Sequence, residues 1–501
     1  MANPRPTGPS SPNLTRRALL LAGLAAGGAV VGAGAAHASP FDPRAGRQGG
    51  PTGPAGPGGP GAPGGPGGPG GPGALGAAGG QGGSAGVGGG GWAGEPDGAG
   101  VMEQLRAAGD PDFRPVRFRL PAPTGRKALG TTAVHLVDKG RIDPAMPSGQ
   151  RELMVSFWYP SGMSATAPFA KYMPARTAVE VDAIWTGEDG LALPSGSFDF
   201  GNTVTHARLD VPMQPLRHPV VLFSPAYQTS RFVNTAQVED LASRGYVVVT
   251  IDHSHETPVE FPGGRFLPGT SQDPPQPSGI RAAVGTRTAD VRFVLDQLQR
   301  IADGDDVDAD GKPLPDGFAD GLDVGRIGMF GHALGGYATG NAMLADERIL
   351  AGADLDGTLQ DDRLKGPLGD VAEHGLDRPF LLFGSAETQR TEPGKDYYDK
   401  SWAAFWAAQR GGRLNLTLVR SKQKAFTDYQ FVFSQLFHAI YGEDPIVSSV
   451  ITALVGSTKP ARSVLAQREY LAAYFDLTLR RRPALLLRGD SPKFPEVRFV
   501  R

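Results

Sequence analysis

Gly331-His332-Ala333-Leu334-Gly335-Gly336 decides the reading of this chain. A strand-like run, Arg326-Ile327-Gly328-Met329-Phe330, leads into it, and a small-residue helical run, Tyr337 to Leu344, leads out. That order is the context of a nucleophile elbow, the sharp strand-to-helix turn that lifts a reactive side chain above a sheet. The flanking glycines fit, because a strained turn tolerates little side-chain bulk near its apex. At the apex stands Ala333, which has no hydroxyl to attack an ester.

Working outward, short apolar runs alternate with helical patterns. Pro219 to Phe223, Tyr246 to Ile251, Ile327 to Phe330, Ile349 to Leu355, Pro379 to Phe383 and Leu414 to Val419 read as buried strands. Val233 to Arg244, Ala282 to Ile301 and Ser463 to Arg480 read as helices between and after them. Such alternation predicts an α/β domain with a mostly parallel central sheet and helices on both faces. Val116 to Arg119, Thr132 to Val137 and Leu153 to Tyr159 have no helices between them and are expected to form an antiparallel N-terminal edge. One domain spanning 113–501 is the reading.

The residues before it have another character. Thr15-Arg16-Arg17-Ala18-Leu19-Leu20 is a twin-arginine pattern, followed by an apolar run to Val31 and by Ala36-His37-Ala38, a small-x-small cleavage pattern. Residues 1–38 therefore read as an export signal, and the apolar run is too short and glycine-rich for a span of roughly 20 apolar residues. The expected location is secreted or cell-envelope associated, with no transmembrane segment in the mature chain. Residues 39–112 are dominated by glycine and proline. Gly58, Gly61, Gly64, Gly67, Gly70 and Gly73 fall every third residue, but second glycines fill most positions where a collagen helix needs stiffening residues. A disordered spacer is the better reading.

The chain holds no cysteine, so neither disulfides nor a thioether lipid anchor are available. Lys and Arg total 49 against 51 Asp and Glu, a balance that offers nothing to nucleic acid or an anionic membrane surface.

Pro123-Thr124-Gly125, Gly130-Thr131-Thr132, Leu136-Val137-Asp138, Arg151 to Val155 and Trp158-Tyr159-Pro160 resemble the opening of secreted actinobacterial esterases and lipases. These are similar to the isoform-II type of platelet-activating-factor acetylhydrolase. The resemblance continues through Pro219 to Pro225, Gly245 to Pro262, the elbow, Leu355-Asp356-Gly357-Thr358, Phe426-Thr427-Asp428 and Ser491 to Val500. It implies an α/β-hydrolase fold and serine esterase chemistry on short acyl chains, without metal or cofactor.

The resemblance also assigns positions. The family reads Gly-His-Ser-x-Gly-Gly at the elbow, so Ala333 stands where the nucleophile belongs. Asp356 matches the triad acid, with Asp354 on the same strand face as its competitor. The histidine belongs three residues before Phe426, where this chain has Gln423, whose amide cannot accept a proton near neutral pH. His374 and His438 flank that gap in the sequence, His374 in a loop and His438 in a helical pattern. The oxyanion hole is expected from the backbone N–H groups of Leu334 and Tyr227, the latter in Pro225-Ala226-Tyr227-Gln228, where the family carries glycines.

One substitution would explain Ala333 alone. Loss of catalysis explains Ala333, Gln423 and the altered loop together. The expectation is a pseudoenzyme that binds an acyl ester or lipid, with a weak ester hydrolase using a relocated base or activated water as the competing reading. Asp306-Val307-Asp308-Ala309-Asp310-Gly311 matches the first half of a calcium loop, but Gly317 replaces the expected glutamate and Pro313 interrupts it. A solvated acidic loop is expected there. His253 and His255 follow a strand end, with a structural role expected for His253.

Overall fold

His218–Ser224 and Val247–Asp252 are buried along their whole length, as strands covered on both faces must be. The computed structural model describes residues 114–500 apart from 163–165, 187–190, 192, 270–276, 362–365, 387–399 and 444. Residues 1–38 and 39–112, for which an export signal and a disordered spacer are expected, lie outside the described residues.

In chain order the strands are β1 Leu129–Asp143, β2 Met146–Pro160, β3 Phe169–Lys171, β4 Val204–Leu209, β5 His218–Ser224, β6 Val247–Asp252, β7 Val259–Glu260, β8 Phe266–Leu267, β9 Leu322–His332, β10 Ile349–Leu355, β11 Phe380–Ser385, β12 Arg413–Leu418 and β13 Val497–Phe499. Eleven of them form one sheet in the order β13-β12-β11-β10-β9-β5-β6-β2-β1-β4-β3, while β7 and β8 pair separately. From β12 to β6 every pairing is parallel. β2 joins β6 antiparallel and β1 joins β2 antiparallel, as expected of the N-terminal strands, while β4 joins β1 in parallel and carries β3 antiparallel at the edge itself.

The structure adds an antiparallel strand at the far edge, β13 on β12. Val116 to Arg119 does not form a strand, because only Val116 makes a bridge, to Phe198. Phe118 instead packs edge-on against Tyr172 and Phe200.

Two apolar layers sandwich the sheet. On one face β-strand side chains meet the helices Pro277–Ala302, Leu334–Ala345 and Lys400–Ala408, through residues such as Val291, Leu298, Tyr337 and Phe405. On the other they meet Thr235–Ser243 and Pro460–Leu479, through Val238, Leu241, Tyr470 and Phe475. This packing aligns the C-terminal ends of β5, β9, β10 and β11. Open α/β sheets carry ligands at that edge.

Candidate active site

The elbow is built by exclusion of side chains. A Cβ on Gly331 would collide with the Gly335 backbone, and one on Gly335 with the Ser224 carbonyl at the end of β5. Between them Ala333 takes φ 50 and ψ −117, a backbone conformation that costs energy for a non-glycine residue. Its N–H donates to the Leu355 carbonyl at 2.9 Å, tying the turn to the end of β10. Leu334 then opens the helix Leu334–Ala345, whose first N–H groups carry the positive end of the helix dipole.

Asp356 follows β10 directly and is fully buried, with φ 57. Its N–H donates to the Phe383 carbonyl at 3.0 Å, and its Oδ1 accepts the Ser385 N–H at 2.6 Å. The carboxylate is thereby fixed at the ends of β10 and β11. Asp354 is oriented elsewhere. Its Oδ1 accepts the Gly357 N–H at 2.7 Å and faces Gly336, where a Cβ would strike it. Asp354 thus braces the turn that carries Asp356.

Gln423 opens the short 3-10 turn Gln423–Phe426 after β12. Its Nε2 donates to the Asp356 carbonyl oxygen at 3.0 Å, and its own carbonyl lies 3.2 Å from Nε2 of His332, the residue before Ala333. Buried amides hold the turn in place. Asn234 and Gln237 donate to the Phe426 carbonyl, and Gln467 donates to that of Ala425. Asp428 anchors the next residues by accepting the Ala236 N–H at 3.1 Å and the Tyr172 hydroxyl at 3.0 Å. Burial pushes the Asp428 carboxyl well above the usual carboxylate range, with those hydrogen bonds opposing the rise. Positions 333, 356 and 423 are brought together at one edge of the sheet.

His374 and His438 are not part of this constellation. His374 ends the short helix Asp370–His374 rather than lying in a loop, with Nδ1 2.8 Å from the Asp370 carbonyl. His438 lies in Tyr429–Tyr441, with Nδ1 2.6 Å from the Ser434 carbonyl.

Tyr227 lies on the loop after β5, and Ser224 pairs with Gly331 across β5 and β9, so this loop borders the elbow. Gln228 beside it has φ 57, a left-handed conformation that glycine would adopt more easily. Behind the loop is a polar network that the sequence did not reveal. Arg287 donates to the Pro225 carbonyl at 2.5 Å, the Ala226 carbonyl at 3.2 Å and Ser224 Oγ at 3.1 Å. Glu256 accepts from its Nη2 at 2.5 Å and from its Nε at 3.1 Å.

Ser224 Oγ lies 2.9 Å from Nε2 of His253, whose Nδ1 lies 2.9 Å from Asp290 Oδ2. Burial, with the Arg287 cation adding to it, holds the His253 imidazole below its ordinary range. A neutral ring beside a carboxylate donates from Nδ1 to Asp290 and accepts the Ser224 hydroxyl at Nε2. The sequence of contacts is that of a Ser-His-Asp relay, but Ser224 is 0% exposed and its oxygen already accepts from Arg287.

In the acidic loop Asp308 accepts the Asp310, Lys312 and His135 backbone N–H groups, and Asp310 pairs with the His135 ring at 2.8 Å. These carboxylates brace the loop on β1. Among the described residues no cluster of three or more His, Cys, Asp or Glu is arranged to hold a metal ion, and no helix is long and apolar enough to cross a membrane.

No family model matches the chain. A probable 1-alkyl-2-acetylglycerophosphocholine esterase of Arthroderma benhamiae is 28% identical over 403 residues, covering 77% of this chain and 95% of that protein. Platelet-activating factor acetylhydrolase of Canis lupus familiaris is 23% identical over 265 residues, covering 49% of this chain and 56% of that protein. Among solved structures, a ferulic acid esterase from Streptomyces cinnamoneus superposes with a TM-score of 0.61. It is 32% identical and is covered over 100% of its length by 77% of this chain. With the parallel sheet, the elbow and these relatives in hand, the chain belongs to the α/β-hydrolase esterase family that includes the platelet-activating-factor-acetylhydrolase-like esterases.

Proposed function

We propose that the chain is an exported α/β-hydrolase homologue that binds acyl esters or lipids and does not hydrolyse them. One observation carries the reading. The elbow apex is a methyl group, and the side chain at the expected histidine position is an amide that donates to the Asp356 turn, Gln423 Nε2 to the Asp356 carbonyl. An ester needs a nucleophile and a group that takes its proton, and neither Ala333 nor Gln423 supplies one. The ligand class follows from the names of the relatives, which are esterases of acetylated phospholipid and of ferulic acid. A weak ester hydrolase is the second reading, supported by Asp356, whose carboxylate stays oriented by the Ser385 N–H and could hold a water.

Purified protein with p-nitrophenyl acetate and butyrate separates the two. No turnover above a matched blank is expected. Turnover that disappears in Asp356→Asn would overturn the binding-only reading. Export belongs to the proposal on the strength of Arg16-Arg17 and the cleavage pattern at Ala38. Changing both arginines to lysine is expected to abolish appearance of the protein outside the cytoplasm, as read by fractionation. Unchanged export would remove the twin-arginine assignment.

A further inference from the structure

We propose that Arg287 is the positioning residue of the oxyanion-hole loop, and that Glu256 and the Ser224-His253-Asp290 relay exist to hold it. The proposal rests on the reading that Tyr227 supplies a backbone donor to a carbonyl oxygen. A trans peptide is planar, so its C=O and N–H point in opposite directions. Arg287 Nη2 donates to the Ala226 carbonyl at 3.2 Å, and that carbonyl shares its peptide plane with the Tyr227 N–H. The cation therefore fixes which way the Tyr227 donor faces. Nη1 does the same for the preceding peptide through the Pro225 carbonyl.

A flip of the 226–227 peptide would aim a carbonyl oxygen where a donor is needed, replacing attraction for an oxyanion by repulsion. The loop has reason to flip. Gln228 holds φ 57 without being glycine, and strained backbone persists only where its surroundings over-determine it.

Arg287 supplies that constraint because its own freedom is removed. It is 1% exposed, Glu256 holds its Nε and Nη2, and Nη1 also meets Ser224 Oγ. The Ser224 hydroxyl in turn is directed by His253, and His253 by Asp290. A planar fork with several donors can meet two carbonyls, a hydroxyl and a carboxylate together, and a lysine ammonium cannot.

The test has two arms. In an Ala333→Ser, Gln423→His background, Arg287→Lys and Ser224→Ala are assayed on p-nitrophenyl butyrate, with active sites counted by fluorophosphonate titration. Arg287→Lys is expected to lower kcat per titrated site roughly 100-fold, with KM changed by less than about threefold, and Ser224→Ala is expected to do the same to a smaller degree. A merely structural role would reduce the fraction of titratable sites and leave kcat per site unchanged, which would overturn the proposal.

The second arm needs no catalysis. In the unaltered sequence, Arg287→Lys is expected to speed amide hydrogen exchange at Ala226–Thr229 by roughly tenfold, with the helix Leu334–Ala345 unaffected. If the restored background is inactive, the assignment of Ala333 and Gln423 has failed. Exchange then decides the clamp by itself, and an unchanged rate at Ala226–Thr229 overturns it.

Discussion

Ala333→Ser combined with Gln423→His is expected to turn this chain into an esterase, with activity on p-nitrophenyl butyrate roughly a thousandfold above either single variant. The size of the effect follows from how the triad works. Serine alone at 333 would have no group to take its proton, and histidine alone at 423 would have no nucleophile to serve, so each single change should leave activity near the blank. The scaffold for both is already in place. Ala333 holds the φ 50 elbow conformation, Asp356 is buried with its carboxylate oriented by Ser385, and Gln423 stands on a turn clamped by Asn234, Gln237 and Gln467. Gln423 Nε2 already reaches the Asp356 turn at 3.0 Å, so a side chain at 423 can meet that residue. Adding Asp356→Asn to the double variant should remove most of the gain, since the histidine would lose its orienting carboxylate. Steady-state kinetics on the two single variants, the double and the triple check this. A single Ala333→Ser variant nearly as active as the double would mean that the base does not belong at 423.

The sequence revealed this edge of the sheet because the residues that build it are local or strongly patterned. Buried parallel strands read as continuous apolar runs, and β10 coincides with its expected span, Ile349–Leu355. The elbow reads from its glycines, since Gly331 and Gly335 have backbone neighbours where a side chain would go. The clamp behind Tyr227 could not be read that way. Arg287 reaches Ser224 across 63 residues and His253 reaches Asp290 across 37, distances over which no period connects them. Arg287 and Asp290 also sit three apart on an amphipathic helix, where an arginine and an aspartate ordinarily mark the solvent face. One signal was present. Asp252-His253 lies within Gly245 to Pro262, a stretch that carries the resemblance, and a histidine at the end of a buried strand needs a hydrogen-bond partner. The helix that carries Arg287 and Asp290 begins at Pro277, earlier than the expected Ala282, because its first turn carries little apolar pattern. β13 was missed because three residues, Val497–Phe499, are too few to show alternation.

The largest expected loss of stability lies in the same network, at Asp290. Arg151 donates to its Oδ1 at 3.0 Å and to its Oδ2 at 2.7 Å, and Arg141 reaches Oδ1 at 2.5 Å. Asp290 is 0% exposed and Arg151 2%. Burial alone would raise the Asp290 carboxyl, but the Arg151 charge and the hydrogen bonds from His253 and Arg151 outweigh it and hold the group far below the usual carboxylate range. Removing one member of such a pair strands the other charge in the interior. Asp290→Ala is therefore expected to cost about 3–5 kcal/mol, because Arg151 keeps only Asp143 and the Ser254 carbonyl as partners. The sign of the pH dependence follows from the direction of the shift. A carboxyl depressed in the folded state contributes its full stability above its unfolded value, about 3.9, and loses it as pH falls toward the much lower folded value. The neutral His253 acts in the same sense at higher pH. Its contribution is complete above about 6.5, the ordinary imidazole value, and declines as the unfolded chain takes up the proton. Urea denaturation midpoints from pH 8 to pH 3 should therefore fall on acidification for the unaltered chain. For Asp290→Ala the midpoint should be lower throughout, and its further fall below pH 4 should be smaller. A loss under about 1 kcal/mol at pH 7 would place Asp290 with weak, screened pairs and would remove the relay's role in holding Arg287.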